Sequence, residues 1–181
     1  SFTPFRSATA RCFVAAPLLA LALGLALSGC ATAPQSATAP AREPANLSDA
    51  KAAVLAYADS GDYDAGLAAV ARQARAYIRG RAVSARPGER LAIVLDIDET
   101  VLSNLPHMRA HDFGYIPPLF EEWVKTAKAP AIAPVREVYR EARAAGVAVL
   151  FLTGRQAPGE TAATAENLRT EGMGDYAALV L

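Results

Sequence analysis

Leu91-Ala92-Ile93-Val94-Leu95-Asp96-Ile97-Asp98-Glu99-Thr100 is the stretch on which the reading of this chain turns. Five apolar residues, two of them β-branched, run straight into two carboxylates. A short, continuous apolar run predicts a strand buried on both faces, as in parallel sheets. Asp96 and Asp98 then fall at the carboxyl end of that strand. In open α/β sheets, ligands bind beyond this end of the strands.

Working outward, a second such run is Val147-Ala148-Val149-Leu150-Phe151-Leu152, and a third covers Ala177 to Leu181. Between the first two, Pro134 to Ala145 has helical spacing, with Val135, Val138, Tyr139 and Ala142 on one face. Pro134 suits a first turn and Gly146 a stop. A further helix fits Glu160 to Arg169. Upstream, Ser48 and Asp49 are expected to cap an Ala-rich helix that runs through Asp59. Ser60-Gly61-Asp62 breaks it. A second helix is expected over about 63–79, with Leu67, Val70, Ala74 and Ile78 facing the core, and Arg86-Pro87-Gly88 forms a turn. Alternating strands and helices predict an α/β fold, a parallel sheet flanked by helices and joined by right-handed crossovers.

Residues 103–130 break this rhythm. They hold His107, His111, Trp123, Pro106, Pro117 and Pro118, and they follow the first strand directly. An insertion there is placed to be a lid or cap. His107 and His111 stand four apart, a spacing that on a helix can hold a metal, though no third ligand is evident; contact with substrate or plain exposure are the other readings. Phe113, Tyr115, Phe120 and Trp123 form either an aromatic slot for a leaving group or a small core under the lid. Asn104 is a candidate for ordering the loop after the first strand. Tyr77 and Tyr139 are expected to pack on helix faces.

Two carboxylates two residues apart repel unless a cation offsets them, and Mg²⁺ favours a few carboxylates together with phosphate oxygens. A carboxylate can attack phosphorus, and a second one nearby can protonate the leaving oxygen. The competing reading of Asp96 and Asp98 is an acidic loop capping a helix. The second strand end weighs against that reading. Thr153-Gly154-Arg155 offers a hydroxyl, an unobstructed backbone amide and a cation, all good phosphate ligands. An ordinary turn with Gly is the bland alternative there. One acidic and one phosphate-friendly strand end together favour phosphoryl transfer.

Asp96-Ile97-Asp98-Glu99-Thr100 resembles the first motif, DxDxT, of the haloacid dehalogenase (HAD) superfamily. Phe151-Leu152-Thr153-Gly154-Arg155 resembles its second. Ser103-Asn104-Leu105-Pro106, Phe113-Gly114 and Glu122-Trp123-Val124 extend the likeness to the subfamily IIIB, or class B, acid phosphatases. That group takes in plant acid phosphatases, vegetative storage proteins and bacterial relatives, with the class C lipoprotein phosphatases as neighbours. The likeness covers roughly residues 47–181. It implies a HAD-like (Rossmannoid) sheet with a small cap after the first strand. Asp96 would be nucleophile and Mg²⁺ ligand. Asp98 would be general acid/base and touch the metal through its backbone carbonyl. Thr153, Gly154 and Arg155 would bind phosphate. The superfamily also needs a third-motif Lys or Arg and a fourth acidic motif. The last lysine here is Lys128, so both are expected beyond Leu181, in keeping with a chain that starts at Ser1 and stops inside an apolar run.

Composition sets the remaining bounds. Of 181 residues 52% are hydrophobic, enough for one domain with a core. Eighteen basic residues balance eighteen acidic ones, so no nucleic-acid footprint is expected. Arg6 and Arg11 precede an apolar run of about 16 residues, Cys12–Leu27, that ends in Leu27-Ser28-Gly29-Cys30. The run is shorter than the roughly 20 residues a spanning helix requires. It reads as a signal peptide over 1–29 with a lipobox-like cut and lipid on Cys30, the competing reading being a transmembrane anchor. Residues 30–46, rich in Ala, Pro and Thr, then form a flexible tether. The expected whole is an envelope lipoprotein on the outer membrane, facing the periplasm. It would act on small phosphomonoesters, nucleotides among the candidates. A non-catalytic binding or storage lipoprotein with the same fold is the competing reading, and a phosphotransferase is a third.

Overall fold

The computed structural model describes Pro44 and residues 46–181. The expected signal peptide, Cys30 and nearly all of the tether lie outside the described residues.

The chain opens with two helices, α1 (Leu47–Asp59) and α2 (Asp62–Val83). Asn46 caps α1 by accepting the Ser48 N–H at 2.9 Å, two positions ahead of the expected start. Gly61, at φ 86°, makes the break between the helices, a left-handed conformation that glycine adopts at little cost. α2 runs a turn further than its apolar pattern indicated. Its buried seam is Ala71 and Ile78 with Ala74 packed beside them, whereas Val70 is 65% exposed. Tyr77, expected to pack, also points outward. One position on a helix is a rotation of about 100°, enough to carry a side chain off a narrow seam.

Three strands follow: β1 (Ala92–Leu95), β2 (Ala148–Leu152) and β3 (Ala178–Val180). They form a parallel sheet in the order β1-β2-β3, with Leu95 opposite Phe151 and Leu152 opposite Val180. Helices α5 (Ala133–Ala144) and α6 (Thr161–Thr170) are the two crossovers. Pro134 stands in the first turn of α5 and Gly146 follows at φ 70°, as the residue types predict. Right-handed crossovers that step in one direction across a sheet put their helices on one face. That face is the core: Val149, Phe151, Val138, Tyr139, Ala142, Ile78 and Leu168. Arg75 and Arg79 of α2 both reach Glu141 of α5, at 3.1 and 2.7 Å. The opposite face was expected to be buried as well. Among the described residues it is open, with Val94 60% and Leu152 53% exposed.

The insertion holds two short helices, α3 (Leu105–Ala110) and α4 (Pro117–Lys125). Its ends are pinched together where Ser103 N–H donates to Pro130 O at 2.8 Å and Ile132 N–H to Val101 O at 2.9 Å. Asn167 of α6, 2% exposed, holds the same base: it accepts the Ala129 N–H at 3.0 Å and donates to the Ala129 carbonyl at 2.8 Å. Lys51–Asp112 and Arg109–Asp59, both at 2.5 Å, tie α1 to the insertion. No helix among the described residues is long and apolar enough to cross a membrane.

Candidate active site

Parallel register sets Asp96, just past β1, and Thr153, just past β2, at the same carboxyl edge of the sheet. The loop beyond β1 is tight. The Ile97 carbonyl accepts N–H groups from Thr100, Val101 and Leu102 at 3.2, 2.9 and 2.9 Å, and Glu99 adopts φ 55°. Ile97, Val101 and Leu102 are fully buried beneath it. The apolar residues interleaved with the carboxylates thus anchor the loop and turn the acids outward. Asp96 is exposed, and its Oδ2 accepts the Thr100 hydroxyl at 2.8 Å. That bond explains Thr at the motif's fifth position: it orients the carboxylate.

Asp98 is held on several sides. Its Oδ1 accepts Nη2 of Arg155 at 2.7 Å and Nδ2 of Asn104 at 2.8 Å, and its Oδ2 accepts Nε of Arg155 at 3.0 Å. The Arg155 side chain is only 1% exposed, and its Nη1 donates to Thr164 of α6 at 3.0 Å. Arg155 was expected to bind phosphate. Its guanidinium lies against Asp98 and Thr164, carried under the first loop by the turn after β2. Thr153 is buried, with Oγ1 accepting the Arg155 N–H at 3.2 Å, while Gly154 is exposed. Thr153 and Gly154 also bring polar groups that suit an anion to the second strand end. Glu160 closes that turn by accepting the Gln156 N–H at 2.7 Å.

Asp98, Gly154, Arg155, Tyr115, Phe120 and Glu121 line a cleft of about 130 Å³ beside the loop. The structure splits the aromatic residues of the insertion. Tyr115 and Phe120 line this cleft. Phe113 lines a separate apolar pocket with Tyr57 and Tyr63. Trp123 donates its indole N–H to Asn104 at 2.7 Å. His107 and His111 stack with ring centroids 4.3 Å apart, and Phe120 meets His107 edge-on. Burial, helped by the nearby His111, pushes the His107 pKa below its ordinary value. The histidines are a packed aromatic pair, and no group of three or more His, Cys, Asp or Glu able to hold a metal occurs among the described residues.

A parallel α/β sheet with a capped, acidic site at its strand ends defines the class. The family description of the HAD superfamily, subfamily IIIB (acid phosphatase), matches residues 20–181, and the chain belongs to that family. It is 36% identical over 91 residues to acid phosphatase 1 of Solanum lycopersicum, a match covering 49% of this chain and 35% of that one. It is 32% identical over 110 residues to the stem 28 kDa glycoprotein of Glycine max, covering 59% and 42%. The class C acid phosphatase from Bacillus anthracis superposes with a TM-score of 0.62 at 26% identity, over 75% of this chain and 58% of that one. The chain thus spans less than half the length of these curated relatives.

Proposed function

We propose that the protein is a Mg²⁺-dependent phosphomonoesterase that works through an aspartyl-phosphate. The observation that carries this reading is the pairing at one strand end of an exposed Asp96, oriented by Thr100, with an Asp98 clamped by Arg155 and Asn104. One carboxylate is presented to solvent and the other is aimed.

An Asp96 carboxylate oxygen attacks phosphorus, and the bond from phosphorus to the leaving oxygen breaks as that oxygen takes a proton from Asp98. Water then attacks the acyl-phosphate and gives its proton to Asp98, which frees phosphate and restores Asp96. Thr153 and the Gly154 amide would hold the transferring group. The donor set fits Mg²⁺, which takes one or two carboxylates and fills its remaining positions with water and phosphate. Asp96 would ligate through its carboxylate. Asp98 would do so through its backbone carbonyl, since its side chain is held by Arg155 and Asn104. Bound there, the cation would neutralise charge between nucleophile and phosphate. The substrate is a small phosphomonoester, nucleotides among the candidates, with its leaving group in the cleft under Tyr115 and Phe120. The signal-peptide and lipobox pattern before Cys30 supports an envelope-anchored protein facing the periplasm.

The test is phosphate release from an aryl phosphate by the protein as encoded, with Cys30 replaced for solubility. Activity should vanish with a chelator and fall at least about a thousandfold in Asp96→Asn, since loss of a nucleophile removes the covalent route. Release indifferent to both changes would overturn the mechanism and favour a binding or storage role.

A further inference from the structure

Asn104 helps to hold Asp98 in the mechanism above, and Trp123, which that mechanism does not use, meets it there. Asn104 is 1% exposed, and four hydrogen bonds join it to Asp98, Glu99 and Trp123. Its Nδ2 donates to Oδ1 of Asp98 at 2.8 Å and to Oε2 of Glu99 at 2.9 Å. Its backbone N–H donates to Oε1 of Glu99 at 2.5 Å. Its Oδ1 accepts the indole N–H of Trp123 at 2.7 Å. An indole N–H only donates and ionised carboxylates only accept, so the amide has one orientation that satisfies every partner. No bond in this chain can be reversed.

Trp123 belongs to α4, the helix that also sends Phe120 and Glu121 into the cleft beside Asp98. The element that lines the expected leaving-group site is therefore bonded, through one buried amide, to the carboxyl that would protonate the leaving oxygen. Oδ1 of Asp98 already receives Asn104 and Nη2 of Arg155. Oδ2 receives only Nε of Arg155, and so is the oxygen with room for a transferable proton.

We propose that Asn104 is a positioning residue that aims Asp98 and, through Trp123, makes that aim depend on the seating of α4. This rests on the phosphomonoesterase reading given above. A well-seated leaving group under Phe120 keeps α4 in place, α4 keeps the indole on Asn104, and Asn104 keeps Oδ1 occupied and Oδ2 turned toward the substrate. The proton then passes from Oδ2 to the leaving oxygen as its bond to phosphorus breaks.

Leaving groups separate this role from a merely structural one. Nitrophenolate departs readily without a proton, whereas an alkoxide requires one. Values of kcat/KM, which cover the steps through leaving-group departure, should be compared for para-nitrophenyl phosphate and glycerol phosphate. The proteins are the Cys30-replaced form, its Trp123→Phe variant and its Asn104→Ala variant. Trp123→Phe keeps an aromatic ring and removes the donor, so it serves even where Asn104→Ala fails to fold. The expected result is a fall of about tenfold or more with the alkyl ester and less than about twofold with the aryl ester. An equal fall on both esters, or no change on either, overturns the inference while leaving the phosphatase reading intact. Failure of the parent protein to hydrolyse either ester sinks that reading, and this one with it.

Discussion

At the scale of single residues, environment decides which of several like groups performs which task. Asp96 and Asp98 are two positions apart on one loop, but one is exposed and the other is clamped by a guanidinium and an amide. The Asp96→Asn experiment belongs here, since it removes the proposed nucleophile with little change in side-chain volume. His107 gives a second residue-scale prediction. Its pKa is depressed by burial and by its neighbour His111. As the pH drops, the unfolded chain takes up a proton on this histidine before the folded one does. Its contribution to stability is thus complete above about pH 6.5 and is lost as the pH falls from there through the folded-state value. In His107→Phe the urea midpoint should lose part of its decline below about pH 6.5. An unchanged slope would mean that other groups account for the acid limb.

At the scale of elements, the insertion is held by its base. Asn167 bonds both the N–H and the carbonyl of Ala129 from α6, and Glu171 accepts the Ala131 N–H at 2.9 Å. Asn167→Leu leaves two buried backbone groups without partners, at a cost of about 1–3 kcal/mol each. A lower urea midpoint should report it, and an unchanged midpoint would show that water reaches those groups. Helix α4 is bonded to Asp98 by the same kind of buried amide, Asn104, so the leaving-group experiment on Trp123 and Asn104 tests this scale as well. Sequence reading found α1, α2, α5, α6 and the three strands to within about a turn, because apolar periodicity and the Pro134 and Gly146 signals are local, but it left α3 and α4 inside an insertion with no assigned helices. It placed Val70 on the core face and missed Ala71. In an Ala-rich helix the apolar pattern is nearly continuous, and only the position of α5 selects the seam.

At the scale of the whole molecule, one apolar layer lies between the sheet and its helices. Phe151 is its centre: fully buried, with its ring 6.2 Å from Tyr139 and 5.4 Å from Tyr176. Tyr139 in turn accepts the Asp175 N–H and donates to the Asp175 carbonyl, tying α5 to the approach to β3. Phe151→Ala should cost about 3–5 kcal/mol, read as a loss in the urea midpoint, with Asp96 and Thr153 loosened together because β2 carries the register between them. A loss below about 1 kcal/mol would mean that the layer collapses around the gap. The same topology explains the face left open among the described residues. A sheet extended in one direction by right-handed crossovers receives its helices on one side, whatever the apolarity of Val94 and Leu152.

By itself, the sequence determined the α/β class, the two strand ends and the family. An apolar run followed by Asp96 and Asp98, and another followed by Thr153-Gly154-Arg155, are contiguous signals that need no neighbours to be read. Only the tertiary structure decided what Arg155 touches, which aromatic residues reach the cleft, and that Asn104 joins Trp123 to Asp98. Those outcomes join residues 57, 6 and 19 positions apart in the chain. The physical reason is that the direction of a long side chain is set by the nearest charge and donor in space, and neither propensity nor periodicity encodes where those lie.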